Sequence, residues 1–98
     1  MSEYYKIFVA SRLTAGNRIF PAKLEIDEMG ITLLEQGLFS NSEKTIPFNR
    51  IASVDIDTPL IGFSSITIST TGEDEFRLNG FTAAEVKEMK EILIQKMG

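Results

Sequence analysis

The sequence predicts a mainly β fold, six or seven short antiparallel strands closed by one C-terminal α-helix. Three observations carry that prediction. Turn-forming residues recur at short intervals, at Gly16-Asn17, Asp27 to Gly30, Ser40-Asn41-Ser42, Pro59 to Gly62, Thr71-Gly72 and Asn79-Gly80, the punctuation of an all-β sandwich or barrel. Between the turns apolar and polar side chains alternate, as they must in strands with one buried and one wet face. After Gly80 the period changes from two to that of a helix.

The N-terminal "YYKIFVA" supports two readings. Tyr5, Ile7 and Val9 alternate as in a strand, while Tyr5, Phe8, Val9 and Arg12 fall at helical spacing. A strand is the expectation. In "RIFPAKLEID", Phe20, Ala22, Leu24 and Ile26 share one face, and Lys23, Glu25 and Asp27 share the other. Ile31 and Leu33 resume the apolar face after the turn at Met29-Gly30.

The next strand, "EKTIPF", runs into Pro47. Proline has no N–H to give a ladder and is confined to edges, strand ends and bulges. "PFNR" therefore reads as a tight corner, with Asn49 able to bond nearby backbone. Ala52, Val54 and Ile56 then oppose Ser53, Asp55 and Asp57. Ile66 and Ile68 oppose Thr67 and Ser69, and Phe76 and Leu78 oppose Arg77 and Asn79.

Thr82 with Glu85 three residues on is a capping box, the signature of a helix start. Val86, Met89, Leu93 and Met97 then form one helical stripe, with Glu85, Lys87, Glu88 and Glu91 elsewhere. The helix is expected over about residues 82–97. Its stripe must be covered, and the open end or mouth of the β structure is the expected seat.

"LEIDEMGITLLEQGLFSNSEKTIPFNRIASVDI", then "FSSITIST", "EFRLNGF" and the final helix, resembles the bacterial pleckstrin-homology-like (PH-like) domains. The resemblance covers Lys23 to Met97 and rests on turns and apolar positions. It implies a PH-like split barrel capped by its helix, and a soluble or membrane-peripheral binding or assembly module without catalytic residues. The lipid-binding members of the wider family hold phosphoinositide headgroups with a Lys followed by a basic-x-basic pair around the first loop. Here that region offers Lys6, Arg12 and Arg18 with no such pair, so the resemblance does not carry lipid binding with it. Dispersed surface cations are the preferred reading of the three.

Composition narrows the function classes. A chain of 98 residues is read as one domain, residues 1–98, burying roughly 60–65% of its unfolded surface. Net charge is −4, which disfavours nucleic acid and anionic lipid over the molecule as a whole. Cysteine and histidine are both absent, removing thiolate metal sites, thiol nucleophiles and the usual general base. "GFSSI" lacks the second glycine of a nucleophile elbow. Glycines stand one per turn, without the clustering that cradles phosphate. Glu3 and Arg12 break a signal-peptide pattern, so the expected location is cytoplasmic, or membrane-peripheral at most.

"PLIGF" is the most informative segment for function. Leu60, Ile61 and Phe63 occupy a loop where polar residues would be expected. Exposed, they would mark a contact site; folded back, they would plug one end of the β structure. The plug is marginally preferred. Leu38 and Phe39 allow the same two readings, with hairpin-tip packing ahead. Asp55 and Asp57 share a strand face, which suits a hard cation or an acid–base pair. Solvent-face charges that discourage edge pairing explain them more simply.

The expected function is a non-catalytic binding or assembly module acting through a protein partner or a second copy of itself, by strand addition at an exposed sheet edge. Leu60, Ile61 and Phe63 of the 59–63 loop are contact candidates on a second surface. The alternative is a membrane-peripheral module holding lipid headgroups through Lys6, Arg12 and Arg18. No cofactor, metal or nucleic acid is expected.

Overall fold

The computed structural model describes residues 5–10, 23–36 and 41–98. Within them run β1 (Tyr5–Val9), β2 (Lys23–Asp27), β3 (Gly30–Gln36), β4 (Asn41–Pro47), β5 (Ile51–Asp57), β6 (Ser64–Thr70), β7 (Glu75–Phe81) and α1 (Ala83–Met97). The strands form two antiparallel sheets, ordered β1-β2-β3-β4 and β5-β6-β7. The expected barrel is thereby corrected: among the described residues no ladder joins the two sheets, and they make a sandwich. Pro47 is the physical reason at one junction. It ends β4, and a single 3-10 turn, Phe48–Arg50, carries the chain into the second sheet.

The first sheet is pinned by its turns. Asp27 Oδ1 accepts from Met29 N at 2.8 Å and from Gly30 N at 3.0 Å, which fixes the β2–β3 hairpin and sets Ile26 opposite Ile31. Leu24, Ile26, Ile31, Leu33 and Ile46 then point into the core, the face that alternation predicts. In β1 the alternation holds with the faces exchanged. Phe8 is buried, while Tyr5, Ile7 and Val9 are exposed.

Two bulges shape the second sheet. The β5–β6 register shifts between Ile51 and Ser53, so Ile51 and Val54 are buried and Ala52 is exposed. Ala52 was expected inward, and one extra residue in a strand reverses parity on its far side. The β6–β7 register shifts where Ser64 meets Phe81 and Ser65 meets Asn79. The residue left over on β7 is Gly80, at φ +106°, and Asn79 Oδ1 accepts from its N–H at 2.9 Å. Asn79-Gly80 is thus a bulge inside β7 and not the turn expected, since left-handed backbone favours glycine in either setting.

The helix begins as its residues predict. Thr82 Oγ1 accepts from Glu85 N at 3.1 Å, and Glu85 Oε1 accepts from Thr82 N at 2.8 Å. Val86, Met89 and Leu93 are fully buried, and the helix packs on β5, β6 and the Phe48–Arg50 turn. Thr82→Ala removes one half of the cap and should cost about 1 kcal/mol. The expected result is a lower urea midpoint with an unchanged slope.

Candidate interaction surface

The β5–β6 connection departs furthest from a bland turn. β5 ends at Asp57 and β6 begins at Ser64, and between them Gly62 turns the chain at φ +100° with open space around its Cα. Leu60 is 104% exposed and Ile61 92%, while Phe63, next to β6, is 38% exposed. The plug reading is therefore corrected: Leu60 and Ile61 project into solvent, and Phe63 is also exposed. The physical reason is length: after Pro59 the chain needs Leu60 and Ile61 to span the hairpin tip, and Gly62 reverses it before either can fold inward.

Of the basic candidates only Lys6 lies within the described residues. Lys6 Nζ lies 2.8 Å from Glu88 Oε2, tying β1 to α1, and 5.6 Å from the Phe8 ring centroid. A half-exposed pair of this kind adds little stability, but it does engage the ammonium group. Arg12 and Arg18 lie outside the described residues, as do Leu38 and Phe39.

Asp55 and Asp57 both face outward from β5. Asp57 Oδ2 stands 3.9 Å from Arg77 Nη2, with both side chains largely exposed. Among the described residues no three acidic side chains cluster closely enough to hold a metal ion. The arrangement is a polar sheet face with one loose ion pair.

Sequence reasoning expects an exposed strand edge but does not place it: β4 and β7 front each other across a seam as edges of the two sheets. A hollow of about 230 Å³ opens there, walled by Ser42 and Lys44 from β4 and by Phe76 and Leu78 from β7. Lys44 Nζ sits 5.9 Å from the Phe76 ring centroid. A second hollow, of about 200 Å³, continues past Lys44 to Arg50 and the β6–β7 hairpin. Thr71 N donates to Arg50 O at 2.9 Å, which fastens that hairpin to the corner turn. The residues of the seam lie about thirty positions apart in the chain, so only the pairing of strands could reveal them.

Among the described residues, seven antiparallel strands followed by one C-terminal helix match the element order that the resemblance implied, with two separate sheets in place of the barrel. The family model described as "Bacterial PH domain" matches residues 7–97. The chain belongs to the bacterial PH domain family. No curated protein matches it in sequence. The match takes in both sheets and the helix of the PH domain, with the apolar loop and the β4–β7 seam inside its bounds. Among the described residues no helix of this PH domain is long and apolar enough to cross a membrane.

Proposed function

We propose that this bacterial PH domain is a non-catalytic docking module that works by protein–protein contact, with a foreign chain or with a second copy, in the cytoplasm. The observation that carries the reading is the outward projection of Leu60 and Ile61 from an otherwise ordered hairpin. A membership in the PH family supports a binding role and leaves the choice of partner to the surface.

Magnitudes decide how much this loop can do alone. Covering one such side chain contributes about 1.5–3 kcal/mol, so Leu60 and Ile61 together supply roughly 3–6 kcal/mol. Association of two proteins costs an estimated ~4–15 kcal/mol in lost freedom and ordering. The loop is thus an anchor that needs further contact beside it. The free strand edges of the two sheets offer that contact through main-chain pairing.

A membrane surface is the competing occupant, since an exposed apolar pair also suits a lipid interface. The engagement of Lys6 by Glu88 weighs against it. Light scattering across a concentration series, with sedimentation against phosphatidylglycerol and phosphatidylcholine vesicles, separates the readings. Self-association is expected to raise the mass above monomer, and Ile61→Asp to weaken it about thirtyfold or more, as loss of a hot-spot residue does. A monomer at every concentration assigns the loop to a foreign protein. Salt-sensitive binding to the anionic vesicles alone, lost in Ile61→Asp, would defeat the protein reading.

A further inference from the structure

We propose that the seam between β4 and β7 is a docking groove for an extended peptide segment of a foreign protein, added as a strand to the free edge of β4 and bearing a carboxylate that faces Lys44. The inference rests on the reading of this domain as a protein-docking module, and it assigns a surface separate from the 58–63 loop.

Edge geometry makes the first part of the case. Among the described residues β4 pairs only with β3, and β7 only with β6. Every second residue of such a strand turns its N–H and C=O away from its one partner, offering them to an added strand. The two free edges flank the same hollow. Pro47 donates nothing, so the usable edge of β4 is residues 41–46.

Side-chain direction makes the second. Ile46 points into the core, and Ser42 and Lys44 share its parity, so the Lys44 ammonium is directed into the seam. Among the described residues neither Lys44 nor Arg50 has a carboxylate within ion-pair distance, in a chain of net charge −4. Charges of both signs line the far wall: Glu75 and Arg77 on β7, Arg77 standing 3.9 Å from Asp57, and Asp74 in the β6–β7 hairpin. The β4 residues of the groove include Lys44 and no acid, so an anionic strand is favoured along β4.

The occupant's pattern follows from the pleat. A residue opposite Lys44 faces the seam and is complemented by a carboxylate. Residues two away on either side face the same way, one toward Phe76, Leu78 and Leu33, the other beside Ile46, and both are complemented by apolar side chains. The pattern is apolar-x-acid-x-apolar. No described strand of this chain presents it, and antiparallel pairing of β4 with its own copy would crowd lysines on one face, so a foreign chain is the occupant.

The test is an amide-shift titration of the full ¹⁵N-labelled chain with a capped heptapeptide in which threonine alternates with isoleucine, glutamate and valine in turn. A second peptide replaces the glutamate with lysine. The first should shift amides of residues 41–46 and 75–78 saturably, with a Kd on the order of 1 mM or tighter. The lysine peptide should bind about tenfold more weakly, the worth of one charge-assisted contact. Lys44→Glu, an exposed change that leaves folding intact, should reverse the ranking. Equal binding of both peptides, shifts confined to residues 58–63, or no saturable shift by about 10 mM would each overturn the proposal. The same amides moving with phosphatidylglycerol vesicles and not with peptide would assign the groove to a membrane. Repeating the titration in Ile61→Asp keeps the two surfaces apart, since that variant disables the loop and leaves the groove unaltered.

Discussion

Gly30→Ala is expected to destabilise the domain by about 3 kcal/mol or more, at the upper end of the cost of overpacking. A methyl group at Gly30 would press into the Ile46 carbonyl oxygen and stand 2.8 Å from Pro47 Cα. Both are backbone atoms of the neighbouring strand, so no side-chain rotation can relieve the clash. Gly30 pairs with Pro47 at the very end of the first sheet, next to the corner where the chain leaves for the second. Phe48 N donates to Met29 O at 3.3 Å across the same junction. The substitution therefore strains the hairpin turn, the last rung of the ladder and the corner at once. For a domain of this size the thermal midpoint should fall by at least about 12 °C. Gly72→Ala is the matched control, because its added methyl would meet only Thr70 Oγ1, at 3.8 Å. A midpoint for Gly30→Ala within a degree or two of the control would mean that β3 and β4 do not approach as closely as described.

Side-chain alternation made most of the core legible before any coordinates. Leu24, Ile26, Ile31, Val54, Ile66, Ile68 and Leu78 all point where parity places them, and Thr82 with Glu85 marks the helix start to the residue. The failures at Ala52 and Asn79-Gly80 share a cause. Parity is a local rule that carries along a strand only while the strand is regular, and one inserted residue near Ala52 or Gly80 resets it. The exchanged faces of β1 have another origin. Apolar residues stand on both sides of "YKIFV", so composition could not say which set turns inward.

The candidate surfaces show the same division. "PLIGF" was visible as an apolar loop, because its oddity lies within five consecutive residues. Whether Leu60 and Ile61 fold back or project depends on the space left at the end of the sandwich, which no short stretch encodes. The seam was invisible for a stronger reason. Lys44 reads as one more polar residue of an alternating strand, and Phe76 as one more apolar residue of another. They become neighbours only because the chain turns at Pro47 and opens the sheet there, leaving β4 and β7 as edges that front each other. A basic residue on the inward face of an edge strand is the one signal that could have been found, and it needs the edge to be known first.

The helix offers the sharpest contrast within a single turn. Leu93→Ala is expected to cost about 2–5 kcal/mol, the range for deleting a fully buried leucine, whereas Ile94→Ala, one residue on and 49% exposed, should stay within about 0.5 kcal/mol. Leu93 stands with Val86 and Met89 on the face that meets β5, β6 and the corner turn. Its removal leaves a void between helix and sheet that the sandwich can close only by moving the helix. Ile94 points the other way, and alanine is the better helix former there. The seat of the helix matters beyond stability. It covers the inner face of the second sheet, and Glu88 reaches from it to Lys6 on β1, so a loosened helix frees both sheets to shift about the β4–β7 seam. Leu93→Ala should therefore lower the thermal midpoint by roughly 8–40 °C and also blunt peptide binding at the seam, while Ile94→Ala does neither. Equal midpoints for the two variants would show that the helix does not bury this stripe. A Leu93→Ala protein that melts early but titrates like the parent well below its midpoint would separate the groove from the helix.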